Sequence, residues 1–258
     1  MDSGKILVDG CSFTANSGFS AENQRVSHWP NLLSQHYQVE FDNNAIGGSS
    51  NDEIFNRVVG ATILNSYNLV LVQWTEIGRQ WIYCSNQNID DFTIINSGNP
   101  KGYQCDTKEV HQYAKLHYSY FNNLYVNLKK WLCQVIALAG YLDSKNQSYI
   151  FIKGFENSVS AFSHIEYVLG TGFKKLEYST KQFLDFDNRP DDYILCKIKE
   201  IQLLLDSARQ LNWINFDSLS FFDARTDLAD DKAHPGIQSN LKFTEQLIAY
   251  CTTHDQPI

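Results

Sequence analysis

Apolar positions along the chain follow two rhythms. Short apolar runs at Lys5–Val8, Val39–Phe41, Leu69–Trp74, Ser148–Lys153 and Trp213–Phe216 have strand length. Three of them are continuous, as buried parallel strands are. Between them the apolar positions recur at helical spacing. Ile54, Phe55, Val58, Val59, Thr62 and Ile63 share one helical face. They follow Ser50-Asn51-Asp52-Glu53, which has capping-box spacing and an acidic first turn. A stripe from Tyr113 to Leu138 predicts one long helix ended by Gly140. Further stripes run from Ile194 to Leu211 and from Leu241 to Cys251, and Trp29-Pro30 marks another helix start.

Strand and helix alternate throughout. The architecture this predicts is a three-layer α/β/α sandwich around a mainly parallel five-stranded sheet, as a single domain over residues 1–258. Two stretches break the alternation and read as polar insertions, near residues 85–109 and 155–190. The first follows the third strand and belongs above the carboxyl edge of the sheet. The second contains a candidate strand or hairpin around Lys174–Tyr178.

Composition narrows the function. The formal charge is −8 and no run of Lys or Arg exceeds a pair, so the electrostatic footprint of a nucleic-acid binder is missing. Aromatic residues reach 14%, so Tyr, Phe and Trp must fill much of the core. The six cysteines lie far apart with no C-x-x-C pair, which excludes zinc ribbons and redox motifs. There is no stretch of 18 apolar residues and no apolar leader, so the reading is a reduced, cytoplasmically made chain off the membrane, and release by lysis or packaging into a particle would look the same. Neither a metal nor an organic cofactor is implied: the Asp90-Asp91 and Asp191-Asp192 pairs read as solvated loop charge. Oligomeric state is left open.

Chemistry gathers at the two ends. Loops leaving the carboxyl ends of parallel strands converge on one crevice. Ser12 leaves the first strand through Gly10-Cys11-Ser12-Phe13-Thr14, Gly47-Gly48 follow the second, Trp74–Arg79 follow the third, and Asp231-Lys232-Ala233-His234-Pro235 follows the last. A serine, a histidine and an aspartate three residues before it can form a nucleophile, its base and the base's orienter. Gly48 can bring a bare N–H close to a substrate oxygen, at the start of a capped helix that favours an anion. Cys11 reads as an inert buried thiol rather than a rival nucleophile, and Arg79 as an ordinary partner of Glu76 rather than an anion clamp.

These residues resemble the SGNH (GDSL-like) hydrolase family. Gly10-Cys11-Ser12-Phe13 stands where that family has its Gly-Asp-Ser-Leu block. Asn44-Ala45-Ile46-Gly47-Gly48-Ser49-Ser50 looks like the second block, and Asp231-Lys232-Ala233-His234-Pro235 is similar to the Asp-x-x-His-Pro block. The resemblance implies a flavodoxin-like fold of SGNH-hydrolase type. It also implies a serine esterase or deacetylase using Ser12, His234 and Asp231, with Ser12 N–H and Gly48 N–H as oxyanion donors and a small ester or O-acetylated carbohydrate as substrate. The third block departs from the pattern. Where the family places an asparagine donor, this chain reads Val72-Gln73-Trp74-Thr75-Glu76-Ile77-Gly78-Arg79. Losing one oxyanion donor typically costs about 10²–10³ in turnover, and an unpaired Glu76 would repel the forming charge. Thr75 or Arg79 is the candidate replacement. A third block of this Trp-Thr-Glu style looks like those of phage and environmental proteins. The alternative it implies is a catalytically weakened binding or structural module, virion-associated and glycan-binding.

Overall fold

In the computed structural model, the described residues are 5–86, 89–95, 107–155, 189–216 and 218–256. The strands are β1 (Lys5–Asp9), β2 (Glu40–Asn43), β3 (Leu69–Trp74), β4 (Gln80–Asn86), β5 (Ile89–Ile95) and β6 (Tyr149–Lys153). The helices are α1 (Glu22–Arg25), α2 (Trp29–Tyr37), α3 (Asn51–Leu64), α4 (Lys108–Leu116), α5 (Leu124–Ser144), α6 (Asp191–Arg209) and α7 (Ile237–Thr253), with a π-helical turn at His117–Phe121. They divide between two compact units. One comprises Met1–Thr75, Leu138–Glu156 and Asn212–Ile258, and the other Glu76–Ala137 and Asn157–Leu211.

The first unit holds a parallel four-stranded sheet in the order β2-β1-β3-β6. Alternation along the strands sends side chains to both faces. Ile6, Val8, Leu69, Leu71, Ile150 and Ile152 join the core that also contains Trp29 and Leu33 of α2 and Phe243 and Leu247 of α7. Each fully buried side chain of this kind stabilises by roughly 1.5–3 kcal/mol relative to exposure. Helix α3 packs against β1 and β3, and its Thr62 hydroxyl meets the Tyr141 hydroxyl of α5 at 3.3 Å. The sheet is thus flanked by helices on both faces, in an α/β architecture. Ser50 caps α3 as its spacing predicts, accepting from the Glu53 N–H at 3.4 Å.

Among the described residues, the fifth strand expected at Trp213–Phe216 is not formed. Phe151 and Trp213 make a single parallel bridge, after which the chain turns away. The Asn215 side chain takes over the ladder: its Oδ1 accepts from the Lys153 N–H at 2.7 Å and its Nδ2 donates to the Lys153 carbonyl at 3.1 Å. The amide continues at Lys153 the edge pairing that backbone bonds from the Phe151 N–H to the Asn212 carbonyl and from the Ile214 N–H to the Phe151 carbonyl begin. The Lys153 side chain is buried and donates from Nζ to the Phe216 and Ser218 carbonyls, which holds this turn in place.

The second unit contains the antiparallel hairpin β4–β5, in the register Gln80↔Ile95 to Asn86↔Ile89. Part of the expected 85–109 insertion is therefore strand. The single helix expected up to Gly140 is also broken: α4 ends in the π-turn, and α5 restarts after Asn122-Asn123. Asn123 Oδ1 accepts from the Val126 N–H at 3.0 Å, as an N-cap does. Gly140 lies inside α5 instead of ending it. The hairpin or strand expected near Lys174–Tyr178 lies outside the described residues. No described helix is long and apolar enough to cross a membrane.

Candidate active site

Ser12 sits on a tight turn at the carboxyl end of β1. The Cys11 carbonyl accepts from the N–H groups of Thr14 and Ala15 at 2.9 and 3.0 Å, curling the chain straight out of the strand. Gly10 is required there, because a Cβ would lie 2.6 Å from Thr14 Oγ1 and 2.9 Å from Gln73 Cβ. Three more bonds hold the turn: Trp29 Nε1 donates to the Phe13 carbonyl at 3.0 Å, Asn43 Nδ2 to the Thr14 carbonyl at 2.7 Å, and Thr14 Oγ1 to Gln73 Oε1. Cys11 is fully buried and its thiol points at Gln73. Ser12 is partly exposed, and among the described residues its hydroxyl makes no hydrogen bond.

The histidine is carried by a loop that the fold closes at its base. Asp227 accepts from the N–H groups of Gln238 and Ser239, at the start of α7. Partial burial would raise its carboxyl, but these bonds and the Ser239 hydroxyl hold it below its usual value. Gly236 permits this approach, since a Cβ there would lie 2.4 Å from Asp227 Oδ2. A bridge between Leu228 and Pro235 and a bond from the Ala229 N–H to the His234 carbonyl zip the loop shut. At its tip Asp231 Oδ1 accepts from the N–H groups of Ala233 and His234 at 2.9 and 3.0 Å, while Oδ2 meets His234 Nδ1. Partial burial would raise Asp231. The two backbone N–H groups and the imidazole outweigh it and keep the carboxyl below its usual value.

Both loops meet within the first unit. The His234 ring stands perpendicular to the Phe13 ring at 5.5 Å, one residue from Ser12. Gly18 lies so close that a Cβ there would be 2.8 Å from His234 Cβ. Asp231 and His234 are joined as an orienter and base would be, and the pair is set beside the Ser12 turn. The structure does not join Ser12 to His234 by a hydrogen bond.

Of the glycine pair, Gly47 faces the serine: a Cβ there would lie 3.9 Å from Ser12 Cβ. Gly48 is buried with φ +84°, a conformation that favours glycine. Ile46 N–H donates to the Gly10 carbonyl at 3.4 Å, which continues the β1–β2 pairing into this loop. At the end of β3, Thr75 is 2% exposed, and its hydroxyl has no partner among the described residues.

Glu76 and Arg79 belong to the second unit, where they pair with each other at 3.6 Å, as expected. Tyr118 donates to the intervening Gly78 carbonyl at 2.8 Å. Burial first, and then the Glu76 charge, push the Tyr118 hydroxyl well above its usual range.

Four residues around the site escaped sequence reasoning. Asn51 reads as part of a capping box. It is in fact a clamp, accepting from the Thr75 N–H at 2.8 Å and donating to the Thr75 carbonyl at 3.2 Å. Asp9 reads as the end of a strand, yet it is fully buried and paired with Arg57. Burial pushes the Asp9 carboxyl up to about 6, against the pull of the guanidinium. His28 is buried with Nδ1 unpartnered, and burial pulls its ring down to about 3. The capping-box and strand patterns account for Asn51 and Asp9 locally, so no sequence signal separated out their second roles. A separate cleft of about 820 Å³, between residues 214–226 and α7, is lined by Leu219, Arg225, Lys242 and Gln246 among others, and by none of the expected site residues.

No protein-family model matches the chain, and no curated protein sequence does. Solved structures do match along nearly the whole length. A lipolytic protein of the G-D-S-L family from Desulfitobacterium hafniense DCB-2 is 11% identical with a TM-score of 0.46, over 96% of this chain and 99% of that one. A psychrotrophic esterase from Pseudoalteromonas sp. is 10% identical with a TM-score of 0.47, over 97% of each chain. An acetyl xylan esterase is 14% identical with a TM-score of 0.46, over 95% of this chain and 98% of that one.

Proposed function

We propose that this chain is a serine carboxylic ester hydrolase working through Ser12, His234 and Asp231. The observation that carries the reading is the Asp231–His234 pair, locked by three bonds and laid against Phe13 beside a partly exposed Ser12. With Nδ1 held by Asp231, the other ring nitrogen of His234 is the base. The Ser12 hydroxyl gives its proton to His234 as Oγ attacks the acyl carbonyl, and the tetrahedral oxyanion forms. His234 returns that proton to the departing alcohol. Water, deprotonated by His234, then attacks the acyl-serine, and His234 returns that proton to Ser12 Oγ as the acid departs. The reading requires the Ser12–His234 bond to form in the substrate complex, where such bonds often tighten.

Ser12 N–H and Gly48 N–H are the first two oxyanion donors. Thr75 is the third, because its buried hydroxyl has no partner, whereas Arg79 is engaged with Glu76. The substrate class that the motif resemblance supports is a small acyl ester, with O-acetylated carbohydrate foremost.

A second reading has its own support. The unmade Ser12–His234 bond and a third block without asparagine favour a module that holds an acylated glycan without turning it over. A fluorophosphonate probe on the folded chain separates the two. Labelling that disappears in Ser12→Ala, with acetate release from p-nitrophenyl acetate or acetylated xylan, supports the hydrolase. Absence of labelling on the folded wild type overturns it and leaves the binding module.

A further inference from the structure

We infer that Arg57, one turn and a half into α3, is a positioning residue that ties the nucleophile turn to the glycine loop. This rests on the hydrolase reading above and assigns a function to a residue with no place in the triad. Its side chain is 17% exposed and all three guanidinium nitrogens are used. Nη2 donates to Asp9 Oδ1 at 2.5 Å and to the Gly10 carbonyl at 3.1 Å. Nε donates to Asp9 Oδ2 at 3.1 Å. Nη1 donates to Ser49 Oγ at 3.0 Å and pairs with Glu53 Oε1 at 3.1 Å.

These partners stand at particular places. Asp9 and Gly10 lead directly into Ser12, and Asp9 Oδ1 also accepts from the Gly10 N–H at 2.6 Å. Ser49 follows Gly48, and its hydroxyl donates in turn to the Ile46 carbonyl at 2.8 Å, closing the loop around Gly47 and Gly48. One rigid fork therefore sets the distance between the serine and the glycine donor. A planar guanidinium can do this where a lysine cannot, because only the fork reaches several acceptors in fixed directions. A buried charge is also a costly way to build a turn, so the arrangement is better suited to holding geometry than to adding stability. Misplacing reacting groups by about 1 Å can cost about 10²-fold in rate.

The test uses the full chain and three variants: Arg57→Lys, Arg57→Met, and the double variant Asp9→Asn with Arg57→Met. The double variant leaves no unpaired carboxylate at residue 9 and keeps an acceptor for the Gly10 N–H. Turnover of p-nitrophenyl acetate is measured alongside amide hydrogen exchange at residues 10–14 and 46–50. In the folded variants kcat is expected to fall about 10- to 100-fold with KM within about twofold, and exchange to rise in both loops while β3 stays protected. Arg57→Lys should recover part of kcat. Unchanged turnover and unchanged exchange in the double variant would overturn the assignment, as would faster exchange spread evenly over the sheet. If the wild type turns nothing over, the hydrolase reading fails separately, and exchange in the two loops still decides whether Arg57 ties them.

Discussion

Asp230 Oδ2 accepts from both the backbone N–H and the hydroxyl of Ser20, at 3.0 and 2.5 Å. This joins the loop that follows Ser12 to the loop that carries Asp231 and His234, across 210 residues of chain. The two bonds hold the Asp230 carboxyl below its usual value. Asp230→Ala should therefore slow fluorophosphonate labelling of Ser12 while the thermal midpoint stays nearly unchanged, since the contact is exposed. Equal labelling rates in the variant and the wild type would show that the tether does not set the approach of the two loops.

Asp231→Asn keeps the shape of the loop tip but removes the charge that orients and stabilises the imidazole. Turnover should fall by about 10²–10⁴ with little change in KM. The low carboxyl value of Asp231 also has a sign: its contribution to stability is present above its unfolded value of 3.8 and lost as pH falls through the folded one. Titration of p-nitrophenyl acetate hydrolysis checks the first point, and acid unfolding of the wild type and variant checks the second.

Thr75→Val separates function from stability at the third block. The hydroxyl is buried without a partner, so replacing it by a methyl should leave unfolding by urea unchanged or slightly harder. As an oxyanion donor its loss should lower kcat by about 10- to 10³-fold. An active variant with wild-type kcat would remove Thr75 from the oxyanion site.

Gly18→Ala tests the packing of the base. Gly18 has φ +92°, and its added Cβ would press on His234 Cβ and on Ala229 Cβ at 2.8 and 3.2 Å. The expected result is a stability loss of about 1–3 kcal/mol by urea unfolding. Labelling of Ser12 should fall further than stability accounts for, because the displaced group is the imidazole.

His28 contributes to the acid response of the fold. Its ring is neutral in the native state down to about pH 3 and regains an ordinary value near 6.5 on unfolding. The unfolded state thus binds the extra proton between those limits, and stability falls as pH drops from about 6.5 toward 3. His28→Gln should flatten the slope by up to about 1.4 kcal/mol per pH unit in that window, read by urea unfolding at a series of pH values. Asp9 titrates with the opposite sign, since its raised carboxyl favours the native state below its unfolded value and loses that contribution as pH rises through about 6. The His28 variant isolates one of the two.

Local pattern was enough to read the sheet's first, third and fourth strands, the Ser50 cap of α3 and the last helix, because hydrophobic periodicity and capping act within a few residues. It also singled out the Asp231–His234 pair, whose bond spans only three positions. It missed the break at Asn122-Asn123, where a side-chain cap overrides an unbroken apolar stripe. It expected a fifth strand at Trp213–Phe216, where the Asn215 amide replaces the ladder. The clamp of Asn51 on Thr75, the tether of Asp230 to Ser20 and the fork of Arg57 on Asp9 and Ser49 left no trace in the pattern. Each joins groups that the local pattern does not pair, and they meet only once the apolar faces of the sheet and helices have packed and brought their loops together.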